Sequence, residues 1–315
     1  MNAEARDPMT QVRVVEVGPR DGLQNEKALI PTDAKVAFVD ALSEAGYTDI
    51  EVSAFVSPTW VPQLADAAEV FARIRRREGV RYSALVPNDK GLDRALEARA
   101  QGIAVFTAAS ETFNRKNINA SIAESIERFR PVVPRAKREG LFVRGYVSTA
   151  FWCPYEGKIG PRAVTDVVRR LLDLDVDEIS IGDTIGKAVP AEVDDLLDVL
   201  LDALPQERVA MHFHDTYGTA VANALAAYDR GITIFDSSAG GVGGCPYAPG
   251  AAGNIATEDL VWALTRSGAS TGIDLARVSA ASDLLASALG RPLRSRVREA
   301  LSPSTPASSA PEPRS

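Results

Sequence analysis

The chain has 315 residues, 45% of them hydrophobic and 24% charged, with a formal net charge of −7. That balance describes a globular chain with apolar residues enough for a sizeable core, and it excludes wholesale disorder. The acidic charge argues against nucleic-acid or membrane partners, and no apolar run reaches the roughly 18 residues of a membrane span.

The first ten residues, "MNAEARDPMT", carry acids and no apolar segment, so they read as disordered and not as a targeting signal. The first strand is "VRVVEV" (12–17), which runs into "GPRDGLQNE" and places Arg20 and Asp21 in the loop that follows. "PTDAKVAFVDALSEAG" (31–46) predicts a helix with Thr32 as N-cap, Val36, Val39, Ala41 and Leu42 on one face, and Gly46 as its stop. Further strands are "TDIEVS" (48–53) with Glu51, "RYSALV" (81–86) and "GIAVFTA" (102–108). After the last comes a charged segment read as a loop, with Arg115, Lys116 and Asn117.

The strand "LFVRGYVS" (141–148) carries Arg144 and Tyr146, "DEISIGD" (177–183) ends in Asp183, and "RVAMHFHD" (208–215) ends in "HFHD". The eighth strand is "GITIFDS" (231–237). It leads into "GGVGGCPYAPGAAGN" (240–254), which holds six glycines, Cys245 and Asn254. Residues 271–300 look helical, and the Pro/Ser/Ala-rich tail (301–315) reads as disordered. One catalytic domain over residues 11–300 is therefore expected.

Eight alternating strand–helix units mean a mainly parallel sheet, and their number and length predict a (β/α)8 TIM barrel with additional C-terminal helices. An open doubly wound sheet is the alternative, but no GxGxxG follows the first strand. In a barrel the chemistry sits at the carboxyl ends of the strands and in the loops beyond them. Six of the eight ends here carry polar residues where packing alone would favour Val, Ile or Leu.

The only two histidines, His212 and His214, stand two apart. On a strand they project from one face, about 6–7 Å apart, with Phe213 on the other. An isolated HxH is as readily a pair of satisfied strand histidines as a pair of metal ligands; the polar rim around it favours ligation. Two imidazoles, a carboxylate and an amide oxygen suit Mg²⁺, Mn²⁺ or Zn²⁺ in an open site. Cys153 and Cys245 lack any CxxC spacing, which argues against structural zinc and a disulfide framework. The glycine-rich stretch reads either as a plain flexible connector or as a lid that presents Cys245; Cys153 reads as structural.

The stretches "VEVGPRDGLQNEK", "SAFVSPTWVPQ", "VRGYVS", "CPYEGK", "ISIGDTIG", "HFHDTYG" and "GGCPYAPGAAGNIATEDLV" resemble the 3-hydroxy-3-methylglutaryl-CoA lyase family over residues 12 to 290. The resemblance implies a divalent ion, Mg²⁺ or Mn²⁺, held by Asp21, His212, His214 and Asn254. It implies retro-Claisen cleavage of the acyl-CoA to acetyl-CoA and acetoacetate, as in leucine breakdown or ketone-body formation. Asp21 or His212 would be the base, Arg20 the partner of the enolate, and Cys245 the donor to the acetyl carbanion. Glu51, Asp183 and Tyr146 would form the surrounding shell. Lys116 and Asn117 would meet the CoA phosphates or else sit on a solvated loop. A homodimer in the cytoplasm is expected, and a longer-chain 3-hydroxy-3-alkylglutaryl-CoA is the alternative substrate.

Overall fold

A computed structural model describes residues 10–244 and 253–301. Eight parallel strands close into a barrel. They are β1 (Arg13–Glu16), β2 (Asp49–Ala54), β3 (Arg81–Leu85), β4 (Gly102–Ala108), β5 (Phe142–Ser148), β6 (Glu178–Asp183), β7 (Val209–Phe213) and β8 (Ile234–Ser237). They pair in chain order, β8 with β1 closing the ring, so the expected (β/α)8 architecture is the observed one.

Side-chain alternation sorts each strand between two cores. On β7, Met211 and Phe213 face the main core between barrel and helices, whereas Ala210 packs with Val15, Val17 and Ile234 in a separate cluster. Phe213 meets Phe151 at 6.3 Å between ring centroids, which leaves His212 for the barrel interior. On β1 the alternation turns Glu16 the other way, out of the barrel toward Thr257 and Ala239.

The first helix, α1 (Thr32–Ser43), begins where expected, but Thr32 is not its cap. Pro31 is the N-cap, its carbonyl accepting from Ala34 and Lys35, while the Thr32 hydroxyl bonds Asp66 at 2.7 Å. The segment after β4 is a helix and not a loop. In this helix, α2 (Glu111–Ile118), the Ser110 hydroxyl accepts from the Phe113 amide at 3.0 Å, and Asn119 ends it in a left-handed conformation. The C-terminal helices are α3 (Leu275–Leu289) and α4 (Arg296–Leu301), and α3 packs along α1. Among the described residues no helix is long and apolar enough to cross a membrane.

Candidate functional site

The site begins with the turn after β1. Gly18–Gly22 forms one π-helical turn in which the Arg20, Asp21 and Gly22 amides all donate to the Val17 carbonyl. This turn lies so close to the segment after β8 that a side chain at either of its glycines would collide with it. A Cβ on Gly18 would come within 2.8 Å of the Ser238 hydroxyl, and one on Gly22 within 2.6 Å of Val242 Cγ1. Glu16 holds the turn from outside the barrel. Its buried carboxylate accepts from the Gly18 amide at 2.8 Å, the Ala239 amide at 3.1 Å and the Thr257 hydroxyl at 3.1 Å. Burial outweighs these bonds and pushes Glu16 up to about 7.

The turn delivers Asp21 to the end of β7. Asp21 Oδ2 lies 3.9 Å from His212 Nε2 and 4.0 Å from His214 Nε2. The three donor atoms lie within 4.8 Å of one another. Asn254 reaches the same place from the far end of the glycine-rich segment. That segment is stitched to β7 by an Asp215 amide to Gly253 carbonyl bond of 2.8 Å and an Ile255 amide to Phe213 carbonyl bond of 3.0 Å. The Asn254 amide nitrogen donates to Asp21 Oδ2 at 2.9 Å and to the Val242 carbonyl at 3.2 Å. Ligation by Asn254 would use Oδ1, and so requires the amide to turn. Cys245 lies outside the described residues.

Arg20 is fixed from two sides. Its Nη1 donates to Asp21 Oδ1 at 2.7 Å, its Nε pairs with Glu51, and its guanidinium stands 5.3 Å from the centroid of the Tyr146 ring. The Tyr146 hydroxyl donates to the other oxygen of Glu51, so Glu51 links the two. Burial and the Glu51 charge hold Tyr146 well above its ordinary pKa. Burial also disfavours the charged form of Arg20, but Glu51 and Asp21 more than reverse this, so Arg20 stays a cation.

Burial raises Asp21, yet Arg20 and the two imidazoles hold it below the usual carboxylate range. Burial and the neighbouring His212 lower His214 to about 4, so its imidazole is neutral at physiological pH. Burial lowers His212 too, but its bond to Asp236 and the charge of Asp21 prevail and raise it. An anionic oxygen and two imidazole nitrogens at this spacing fit a divalent cation, which binds the deprotonated form of each.

Arg20, Asp21, Tyr146, His212 and His214 line a cavity of about 880 Å³. Leu29, Val56, Trp60 and Phe106 supply apolar wall, and Lys27, Lys116 and Arg128 supply positive charge. Lys116 and Asn117 therefore do line the cavity, from α2, and the Lys116 ammonium also lies 4.3 Å from the Tyr155 ring centroid. Asp183 is not among the lining residues. Its carboxylate accepts from the Lys187 and Ala188 amides at 3.1 and 3.0 Å and closes the turn after β6. Burial pushes it up to about 6.

Sequence reasoning missed Asp236, whose Oδ2 lies 3.1 Å from His212 Nδ1, and the lining residues Lys27, Trp60 and Arg128. An acid inside the otherwise apolar run of β8 was the available signal for Asp236.

A closed parallel barrel with a carboxylate–imidazole cluster at its carboxyl-terminal rim has the build of a barrel enzyme able to seat a divalent cation beside its substrate. Residues 11–285 match the HMGL-like family model. The cytoplasmic 3-hydroxy-3-methylglutaryl-CoA lyase of Rattus norvegicus is 50% identical over 289 residues, 92% of this chain and 84% of the relative. A crystal structure of the hydroxymethylglutaryl-CoA lyase from Pseudomonas aeruginosa superposes with TM-score 0.91 at 49% identity, covering 93% of this chain and 97% of that one. An Acinetobacter baumannii HMG-CoA lyase in complex with coenzyme A and 3-methylmalate superposes with TM-score 0.89 at 38% identity, covering 99% and 100%. The chain belongs to the HMGL-like family.

Proposed function

We propose that the chain is a carbon–carbon lyase that cleaves 3-hydroxy-3-methylglutaryl-CoA to acetyl-CoA and acetoacetate. The observation that carries this reading is the meeting of Arg20, Asp21, His212 and His214 on one cavity in a chain half identical to lyases of that name. Asp21, His212, His214 and Asn254 would hold a divalent ion, Mg²⁺ or Mn²⁺. Such an ion would orient the substrate's C3 oxygen and free carboxylate and acidify the hydroxyl.

The protein's own groups account for the proton and charge movements. Asp21, or His212 where its Nε2 is off the ion, takes the C3 hydroxyl proton as the C2–C3 bond breaks. The bonding pair moves to the thioester as an enolate, and the fixed Arg20 cation faces that charge. Cys245 returns a proton to the acetyl carbon, consistent with a thiol that keeps its proton near neutral pH. Glu51 and Tyr146 keep Arg20 in place. Lys116 and Asn117, joined by Lys27 and Arg128, serve the phosphates of coenzyme A. Asp183 enters as a support of the turn after β6, and the working unit is a homodimer.

The test is product analysis of 3-hydroxy-3-methylglutaryl-CoA incubated with the metal-loaded protein. Equimolar acetoacetate and acetyl-CoA are expected; an intact substrate after incubation with folded, loaded protein would overturn the proposal.

A further inference from the structure

We propose that Asp236 is a positioning residue, which fixes His212 as the tautomer with its proton on Nδ1 and so aims the free Nε2 lone pair at Asp21. This deepens the metal reading of the site and rests on it.

Asp236 lies on β8 opposite His212 and is 2% exposed. Both of its oxygens have assigned partners. Oδ1 accepts from Arg144 Nη2 at 2.6 Å, and Oδ2 accepts from the Ser180 hydroxyl at 2.8 Å and faces His212 Nδ1 at 3.1 Å. Arg144 is in turn held by Glu178, at 2.9 Å from its Nε, so the carboxylate cannot swing away without breaking a buried ion pair. A carboxylate only accepts, so the atom facing it on His212 must be the protonated nitrogen. The other ring nitrogen, Nε2, is then the one with a lone pair, and it is the atom directed to Asp21. Among the described residues His214 has no such carboxylate and meets the Thr184 backbone instead, so the pair is asymmetric and a carboxylate orients one histidine only. Carboxylates that hold the far nitrogen of a ligating histidine typically contribute about 10–100-fold to metal affinity.

The chemistry specifies the test. In Asp236→Asn, Arg144 still requires an acceptor at the Oδ1 position, which places the amide NH2 at the Oδ2 position. That NH2 donates to Nδ1 and forces the His212 proton onto Nε2, where it blocks the lone pair. The Ser180 hydroxyl can rotate to accept from the same NH2, so the fold retains its bonds.

Two histidines make the measurement simple: long-range ¹H–¹⁵N correlation on metal-free, ¹⁵N-histidine-labelled protein, above the imidazole titration, resolves each tautomer. His212→Gln assigns the signals. The parent should show His212 protonated at Nδ1 and Asp236→Asn should show it protonated at Nε2, with Mn²⁺ affinity by calorimetry lowered about 10–100-fold. Ser180→Ala should leave the parent tautomer. A parent His212 protonated at Nε2 overturns the proposal, and this needs no variant to fold. So does an Asp236→Asn protein with the parent's tautomer and Mn²⁺ affinity. A tautomer switch in protein that binds no Mn²⁺ even as the parent would remove the metal reading while upholding the orientation by Asp236.

Discussion

Two clusters of charge, buried or half-buried, occupy the barrel, and they differ in what their acids are paired with. Deeper in the barrel, Arg144 joins Asp236 and Glu178, Arg13 joins Glu178 and Asp49, and Arg81 joins Asp49. There each buried acid has an arginine. At the rim, Asp21 shares Arg20 with Glu51 and accepts from the neutral Asn254 amide at 2.9 Å, and it meets two imidazole nitrogens at 3.9 and 4.0 Å, beyond hydrogen-bond reach. Three donor atoms converging without touching fit a cation among them once the Asn254 amide turns. The same residue types thus make a self-contained strut in one place and an open ligand set in the other. Asp236 belongs to the strut and reaches the ligand set through His212.

Disrupting the open cluster should give the largest effect on chemistry. Asp21→Ala should lower turnover by at least about three decades, since a bound ion contributes several kcal/mol to the transition state. It should also raise the Kd for Mn²⁺, and a parent-like Kd and rate would contradict the comparison. Cys245→Ala should lower turnover by about two to four decades with Mn²⁺ affinity unchanged, the scale of a general-acid loss. Steady-state kinetics beside calorimetry separate the two cases.

Disrupting the strut should instead show in stability. Arg144→Met leaves Asp236 and Glu178 buried without their shared cation, and a loss of about 3–5 kcal/mol is expected from urea unfolding. A smaller effect concerns Glu16, which neither cluster contains. Its pKa rises from 4.5 to about 7 on folding, so between those values the folded chain binds more protons than the unfolded one. Stability should therefore fall as pH rises from about 4.5 through 7, by up to roughly 3 kcal/mol from this group. Urea midpoints at pH 5 and pH 8 should differ less in Glu16→Gln than in the parent.

The eight strands were legible because β-branched runs alternate with helical stretches, at a number and spacing that favour a barrel over an open doubly wound sheet. Arg20, Asp21, His212 and His214 were legible as polar residues at strand ends, where packing gives no reason for them. Asp236 was not, because its partner Arg144 lies 92 residues away and only closure of the ring brings them together. Asp183 shows a related limit: a strand-end acid can face the cavity or, as here, bond the amides of its own turn, and the local sequence is the same in both cases. Thr32 resembled a cap because Pro31, which offers only a backbone carbonyl, performs that role instead. Lys27 and Trp60 stand within the stretches that resemble the family but nothing local marks their role, and Arg128 stands in none; a shared cavity wall unites them.

The most direct test of the open cluster is a titration of metal-stripped protein with Mn²⁺, following binding by calorimetry and acetoacetate release in the same samples. One ion per chain, with release rising in step with occupancy, is the predicted result. Full activity in stripped protein, or Mn²⁺ binding that leaves release unchanged, would contradict the assignment of this rim cluster as the metal site of a lyase.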